Sequence, residues 1–105
     1  MRFVETPIFT KVMQRLISDE DYRSLQIALM LRPEQGPVIR GSGGLRKIRW
    51  ARLRGGKSGG LRVIYYWAPA EEAFYMIYAY AKNEQGDLTA AQTRALGQLV
   101  RKEFK

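Results

Sequence analysis

Three strand-type runs separated by short turns occupy Leu45 to Ala81, and they commit the middle of this chain to a β-meander. Leu45 to Leu53 alternates, with Ile48 and Trp50 on one face and Lys47 and Arg49 on the other. Leu61 to Trp67 is rich in β-branched and aromatic residues, as is Phe74 to Ala81. The first two runs are joined by the glycine-rich segment Arg54 to Gly60, and the last two by Ala68-Pro69-Ala70-Glu71-Glu72. Such spacing leaves room for hairpins but not for crossover helices.

The flanks read as helices. After a short strand at residues 2–5, Thr6-Pro7 has the form of an N-cap followed by proline at the first helical position. Ile8, Phe9, Val12, Met13, Leu16 and Ile17 then recur at helical spacing. Ser18-Asp19-Glu20-Asp21 interrupts them and caps a second helix, its acids suited to the helix dipole. Tyr22, Leu25, Ile27, Ala28, Leu29 and Leu31 carry this helix to Arg32-Pro33, and Gln35 to Gly44 reads as a loop. Thr89-Ala90-Ala91-Gln92 is a capping-box pattern opening a last helix from about Ala90 to Glu103, with Leu96, Leu99, Val100 and Phe104 as its apolar stripe. The order β-α-α-β-β-β-α predicts a single α+β domain over residues 1–105. In it, an antiparallel sheet carries the N-terminal helical hairpin packed on one face and a C-terminal helix.

Charge is the second constraint. The net charge is +8, from 18 basic and 10 acidic residues. Gln35 to Ala70 holds eight of the basic residues and no acid, while the remainder carries ten of each. The entire excess therefore lies in one segment. Segregation of this kind attracts polyanions; a solvated basic face and an acidic protein partner are the other readings.

Several chemistries drop out. The chain has neither cysteine nor histidine, which removes disulfides, thiolate or imidazole metal sites and the usual proton shuttle near neutral pH. No cofactor is expected. No run approaches the roughly 18 apolar residues of a membrane span, and Met1-Arg2-Phe3-Val4-Glu5 does not read as a signal peptide. A soluble cytoplasmic protein is the expectation. Gly55-Gly56-Lys57-Ser58 imitates the end of a phosphate-binding loop, but Ala51 stands where the motif needs its first glycine, and a strand follows where it needs a helix. Gly41-Ser42-Gly43 lacks the third glycine of a dinucleotide site, since Arg46 occupies that place. Both read as loops.

What remains is cationic. Lys47 and Arg49 share a strand face, and Arg62 enters early on the next strand. Lys82 follows the third strand at the edge of the same sheet, next to Asn83 and Glu84, the last of these reading as a salt-bridge partner. Arg46 faces the other way, and Arg52, Arg54 and Lys57 ride on or near the hairpin. Tyr66 shares the face of Arg62 by alternation.

Leu45-Arg46-Lys47-Ile48-Arg49, Leu61-Arg62-Val63-Ile64-Tyr65-Tyr66 and Tyr80-Ala81-Lys82-Asn83-Glu84 together resemble the RelE/ParE superfamily, in particular the RelE/HigB-type ribosome-dependent messenger-RNA interferases. The resemblance extends over nearly the whole chain. It implies a metal-independent endoribonuclease toxin of a type II toxin–antitoxin system, which cuts messenger RNA in the decoding site of the small ribosomal subunit. It also implies a cognate antitoxin of helix-turn-helix, HigA-like type, with operator DNA bound only through the antitoxin complex and no membrane involved. Lys47 and Arg49 match the paired basic residues of the family's active-site strand, Arg62 the arginine on the scissile phosphate, and Lys82 a basic position after the last strand. Asn83 departs from an arginine present in some relatives. No counterpart of a C-terminal catalytic tyrosine stands out, since Thr89 falls about there; Tyr66 and Tyr80 are substitutes.

In that chemistry a ribose 2′-hydroxyl attacks the adjacent phosphorus. Arg62 suits charge neutralisation on the phosphorane, because a guanidinium holds two phosphate oxygens and stays charged. Lys47 is a candidate proton acceptor, since Arg49 and Arg62 as neighbours favour its neutral amine, or else a phosphate ligand. Arg46, Arg52, Arg54, Lys57, Tyr66 and Asn83 are candidates for RNA or ribosome contact. Two rivals stay open: a ParE-like gyrase poison of the same fold, and a plain RNA-binding module.

Overall fold

The computed structural model describes residues 1–51 and 60–104. The elements follow the expected order: β1 Arg2–Glu5, α1 Pro7–Leu16, α2 Asp19–Leu31, β2 Arg46–Trp50, β3 Leu61–Ala68, a 3-10 turn at Pro69–Glu71, β4 Ala73–Ala81 and α3 Ala90–Phe104. The helix starts are built as their sequences suggest. Thr6 accepts the Phe9 amide at 3.0 Å, and Ser18 accepts that of Asp21 at 3.1 Å. Thr89 and Gln92 exchange side-chain-to-backbone hydrogen bonds, both 3.0 Å, in a reciprocal capping box.

The sheet corrects one expectation. Its strand order is β1-β4-β3-β2, and while β2, β3 and β4 form the antiparallel meander, β1 joins β4 in parallel, Phe3 opposite Phe74. The sheet is therefore mixed. Parallel neighbours need a long crossover, and the whole helical hairpin plus β2 and β3 separates these two.

Apolar residues fill both faces. On one, Phe9, Met13 and Leu16 of α1 and Leu25 and Leu29 of α2 pack on Val63, Tyr65, Phe74 and Met76. Ile27 and Leu31, two positions round the helix from Leu25 and Leu29, point outward at 48% and 77% exposure. On the other face Leu45, Ile64, Ile77 and Tyr80 meet Val100, with Leu96 and Leu99 of α3 beside them. Gly97 lets α3 approach the turn at residues 41–42, for a Cβ there would lie 3.2 Å from the Gly41 carbonyl oxygen. Gly41-Ser42-Gly43-Gly44 is thus a packed structural turn. The chain just before it also pairs with the outer edge of β2, where the Ile39 amide donates to the Leu45 carbonyl at 2.7 Å and the Lys47 amide to that of Pro37 at 3.0 Å. These bonds cover part of an edge that would otherwise be open to another strand.

A bulge interrupts the pairing of β3 with β4. Ile64 faces Tyr78 but Tyr65 faces Met76, so Ile77 has no cross-strand partner. Its carbonyl accepts the Thr6 hydroxyl at 2.8 Å, and the neighbouring Met76 carbonyl accepts the Thr6 amide at 3.0 Å. One threonine therefore caps α1 and holds the bulge. Ile77 and Tyr78 fall consecutively on the α3 side, and Tyr80 follows them there.

Burial also shapes the protein's alkaline limit. It is the main cause that pushes up the phenols of Tyr22, Tyr65 and Tyr80, the last to about 12, with Glu5 reinforcing Tyr22 and Asp87 reinforcing Tyr80. Unfolded tyrosines ionise near pH 10, so the native state holds these protons more tightly. The stability Tyr80 contributes is complete below about pH 10 and is lost as pH climbs through about 12, and that of Tyr22 and Tyr65 is lost in the same direction. The urea midpoint should hold level up to about pH 9 and fall steeply from about pH 10 onward. A midpoint still level at pH 11.5 would contradict this.

Candidate RNA-cleavage site

Register converts the basic strand residues into a cluster. Arg49 lies directly opposite Arg62, and Arg62 directly opposite Tyr80, a row across β2, β3 and β4 on the α3 side of the sheet. Direct partners of this kind have Cβ atoms about 4.5–5.5 Å apart. Lys47 stands two residues along from Arg49, and Lys82 follows the end of β4. Lys47, Arg49, Arg62 and Lys82 all line one groove of about 460 Å³. Like charges set opposite each other across strands repel, and an anion between them reverses that cost. Arg62 is 8% exposed at the groove floor, whereas Arg49 is open to solvent.

The far wall is the turn at residues 35–37, and it is set from behind. The Tyr65 hydroxyl accepts the Gly36 amide at 3.1 Å and donates to the Pro33 carbonyl at 2.7 Å. Arg46 reaches the same turn, donating to the Glu34 and Gly36 carbonyls at 3.1 and 2.9 Å, with the Glu34 carboxylate 3.5 Å away. Glycine at residue 36 suits this close approach, since a Cβ would sit tightly, 3.0 Å from the Lys47 carbonyl oxygen and 3.1 Å from the Tyr65 ring. Tyr65→Phe keeps the ring but strips the buried Gly36 amide of its acceptor. We expect a loss of about 1–3 kcal/mol in urea unfolding; an unchanged midpoint would show that these bonds do not hold the wall.

Asp87 closes the near side. Its Oδ1 accepts the Lys47 ammonium at 3.1 Å, the Tyr80 hydroxyl at 3.3 Å and the Leu88 amide at 2.8 Å. The Lys47 hydrogen bond, then that of the Leu88 amide, holds its carboxyl below the usual range. Lys82 donates to the Gly86 carbonyl at 2.7 Å, tying down the adjacent residue. Asp87 reads in the sequence as a lead-in to the last helix. A lone acid at the end of a turn carries no signal that it will meet a lysine forty residues earlier.

The other expected contact residues scatter. Arg46 serves the Glu34–Gly36 turn on the opposite face, as alternation implies. Tyr66 shares the face of Arg62 but lies beyond Ile64, packed with the α3-side core rather than lining the groove. Asn83 is exposed on the turn after β4. Glu84 pairs with Arg15 through two bonds of 3.0 and 3.2 Å. Arg52, Arg54 and Lys57 lie outside the described residues.

Comparison with known proteins agrees with this architecture. Residues 1–105 match the family model described as the RelE toxin of the RelE/RelB toxin–antitoxin system. Among solved structures, the chain is similar to one in the intact E. coli RelBE toxin–antitoxin complex, with a TM-score of 0.57 and 18% identity over 75% of this chain and 93% of that one. It is likewise similar to a mutant of E. coli toxin RelE in the free state, in which two arginines are replaced by alanine, with a TM-score of 0.55 and 15% identity over 80% of this chain and 85% of that one. At such identities the structural likeness is one of fold.

Proposed function

The chain belongs to the RelE family of toxins, the toxin half of RelE/RelB toxin–antitoxin systems, and from that footing we propose that it is a metal-independent endoribonuclease that cuts messenger RNA in the decoding site of the small ribosomal subunit. The observation that carries this is the direct opposition of Arg49 and Arg62 within a groove that also gathers Lys47 and Lys82. Four cations around about 460 Å³ suit a single phosphodiester and its sugar better than an extended protein surface.

The chemistry uses these groups in distinct places. The 2′-hydroxyl loses its proton and attacks phosphorus while the bond to the 5′-oxygen breaks. That oxygen takes up a proton, leaving a cyclic phosphate and a free 5′-hydroxyl. Arg62, rigid on the central strand, spans the non-bridging oxygens as charge builds on the phosphorane. Arg49 and Lys82 hold the phosphate from the rim. Lys47, ion-paired with Asp87 at 3.1 Å, works as a cation in this arrangement. With no histidine to shuttle protons, alignment of the messenger by the ribosome supplies much of the rate.

A cognate antitoxin is the expected partner. We take it to be of helix-turn-helix, HigA-like type, with operator DNA contacted only through the complex and the toxin acting in the cytoplasm. Arg52, Arg54 and Lys57 are assigned to ribosomal RNA on charge alone. Purified protein added to programmed ribosomes should cut the messenger at codon positions mapped by primer extension. Intact messenger would overturn the reading, and DNA double-strand breaks on expression in cells would point instead to gyrase.

A further inference from the structure

We propose that Asp87 is the positioning residue of this site, its Oδ1 holding the Lys47 ammonium and the Tyr80 hydroxyl in fixed places beside Arg62. The inference rests on the nuclease reading for its kinetic consequence, though not for the contact itself. Among the described residues that line the groove, Asp87 is the one carboxylate. An acid there repels an incoming phosphate, so by charge alone it works against binding. Its place is explained by what it grips.

One oxygen takes three donors from separate parts of the fold. Lys47 comes from edge strand β2 at 3.1 Å, Tyr80 from β4 at 3.3 Å, and the Leu88 amide, at 2.8 Å, from the approach to α3. The Asp87 backbone is itself anchored, for its carbonyl accepts the Gln85 side-chain amide at 2.9 Å. That amide also donates to Gln92 Oε1 at 2.6 Å, within the α3 capping box. A free lysine samples many rotamers, while one paired with a backbone-anchored carboxylate samples fewer. Tyr80, directly across from Arg62, is steadied by the same atom. Asp87 thus exchanges some substrate affinity for geometry.

That exchange gives the test its signature. In ribosome-programmed cleavage by the full chain, Asp87→Ala should lower kcat about 10- to 100-fold, the scale of a catalytic group displaced by roughly 1 Å. KM should stay level or fall, because a repelling charge has gone. Asp87→Asn keeps an acceptor for all three donors and should recover part of kcat. The Lys47 ammonium resonance, seen by nitrogen-detected NMR in the free protein, should be sharp in the wild type and broadened or lost in Asp87→Ala. Wild-type kcat in Asp87→Ala, a loss confined to KM, or an unaltered Lys47 resonance would each overturn the proposal. If Asp87→Ala does not fold, wild-type kcat and an unaltered resonance in Asp87→Asn would do so. Wild-type protein that cuts no messenger defeats the nuclease reading, and the resonance still decides whether Asp87 holds Lys47.

Discussion

Arg62→Ala should reduce messenger cleavage by about two to three orders of magnitude, the cost of removing one preorganised charge donor from a transition state. The size follows from place as much as from charge. Arg62 lies on a strand paired on both sides, its side chain is 8% exposed, and Arg49 and Tyr80 flank it directly. Its guanidinium therefore needs little reorganisation when charge develops on the phosphorane. Arg62→Lys keeps the charge but not the planar fork and should recover only a small part of the rate. Arg62→Ala also removes a buried side chain that donates to the Leu61 carbonyl, so cleavage is compared at a temperature where both proteins are folded. Cleavage at the wild-type rate by a folded Arg62→Ala would remove Arg62 from the mechanism, whatever becomes of Lys47.

Phe74→Ala should do the reverse, disabling the protein through its fold. Phe74 is fully buried on β4, its ring stacked on Phe3 of β1 at 4.8 Å and on Trp67 of β3 at 4.4 Å, with Tyr65 tilted against it at 6.1 Å. It joins three strands, including the parallel pair that alone attaches β1 to the sheet. Truncating a buried phenylalanine costs about 3–5 kcal/mol, against a total of about 5–15 kcal/mol for a typical domain. The melting temperature should fall by roughly 15–30 °C at this chain length. A loss below about 1 kcal/mol in urea would mean that the aromatic stack is not what binds β1. Any loss of cleavage should track the unfolded fraction, unlike that of Arg62→Ala.

Much of this arrangement is legible in the residues. Alternation in Arg46–Trp50 puts Lys47 and Arg49 together, the glycines mark the turns, and Thr6, Ser18 and Thr89 announce helix starts that the structure builds as capped. These signals are local: they depend on how one side chain meets a backbone a few residues away, which every copy of the pattern repeats. The acid-free segment Gln35–Ala70 is local too, and it marks the candidate polyanion-binding stretch before any fold is known.

Pairing is not local. Hydrophobic period reports which face is buried, not which strand lies alongside or in which direction it runs, so the parallel β1–β4 pair escapes it. Nor does it show the bulge at Ile77. Uninterrupted alternation would leave Tyr78 and Tyr80 on the face of Phe74 and Met76, against the helical hairpin. The extra residue, held by Thr6 from the far end of the chain, turns both tyrosines to the other side, where Tyr80 meets Arg62 and Asp87. The amino-acid order thus supplied the cations and the elements that carry them. Their convergence on one groove, with Asp87 gripping Lys47, came from long-range register, whose free energy depends on the whole sheet closing at once.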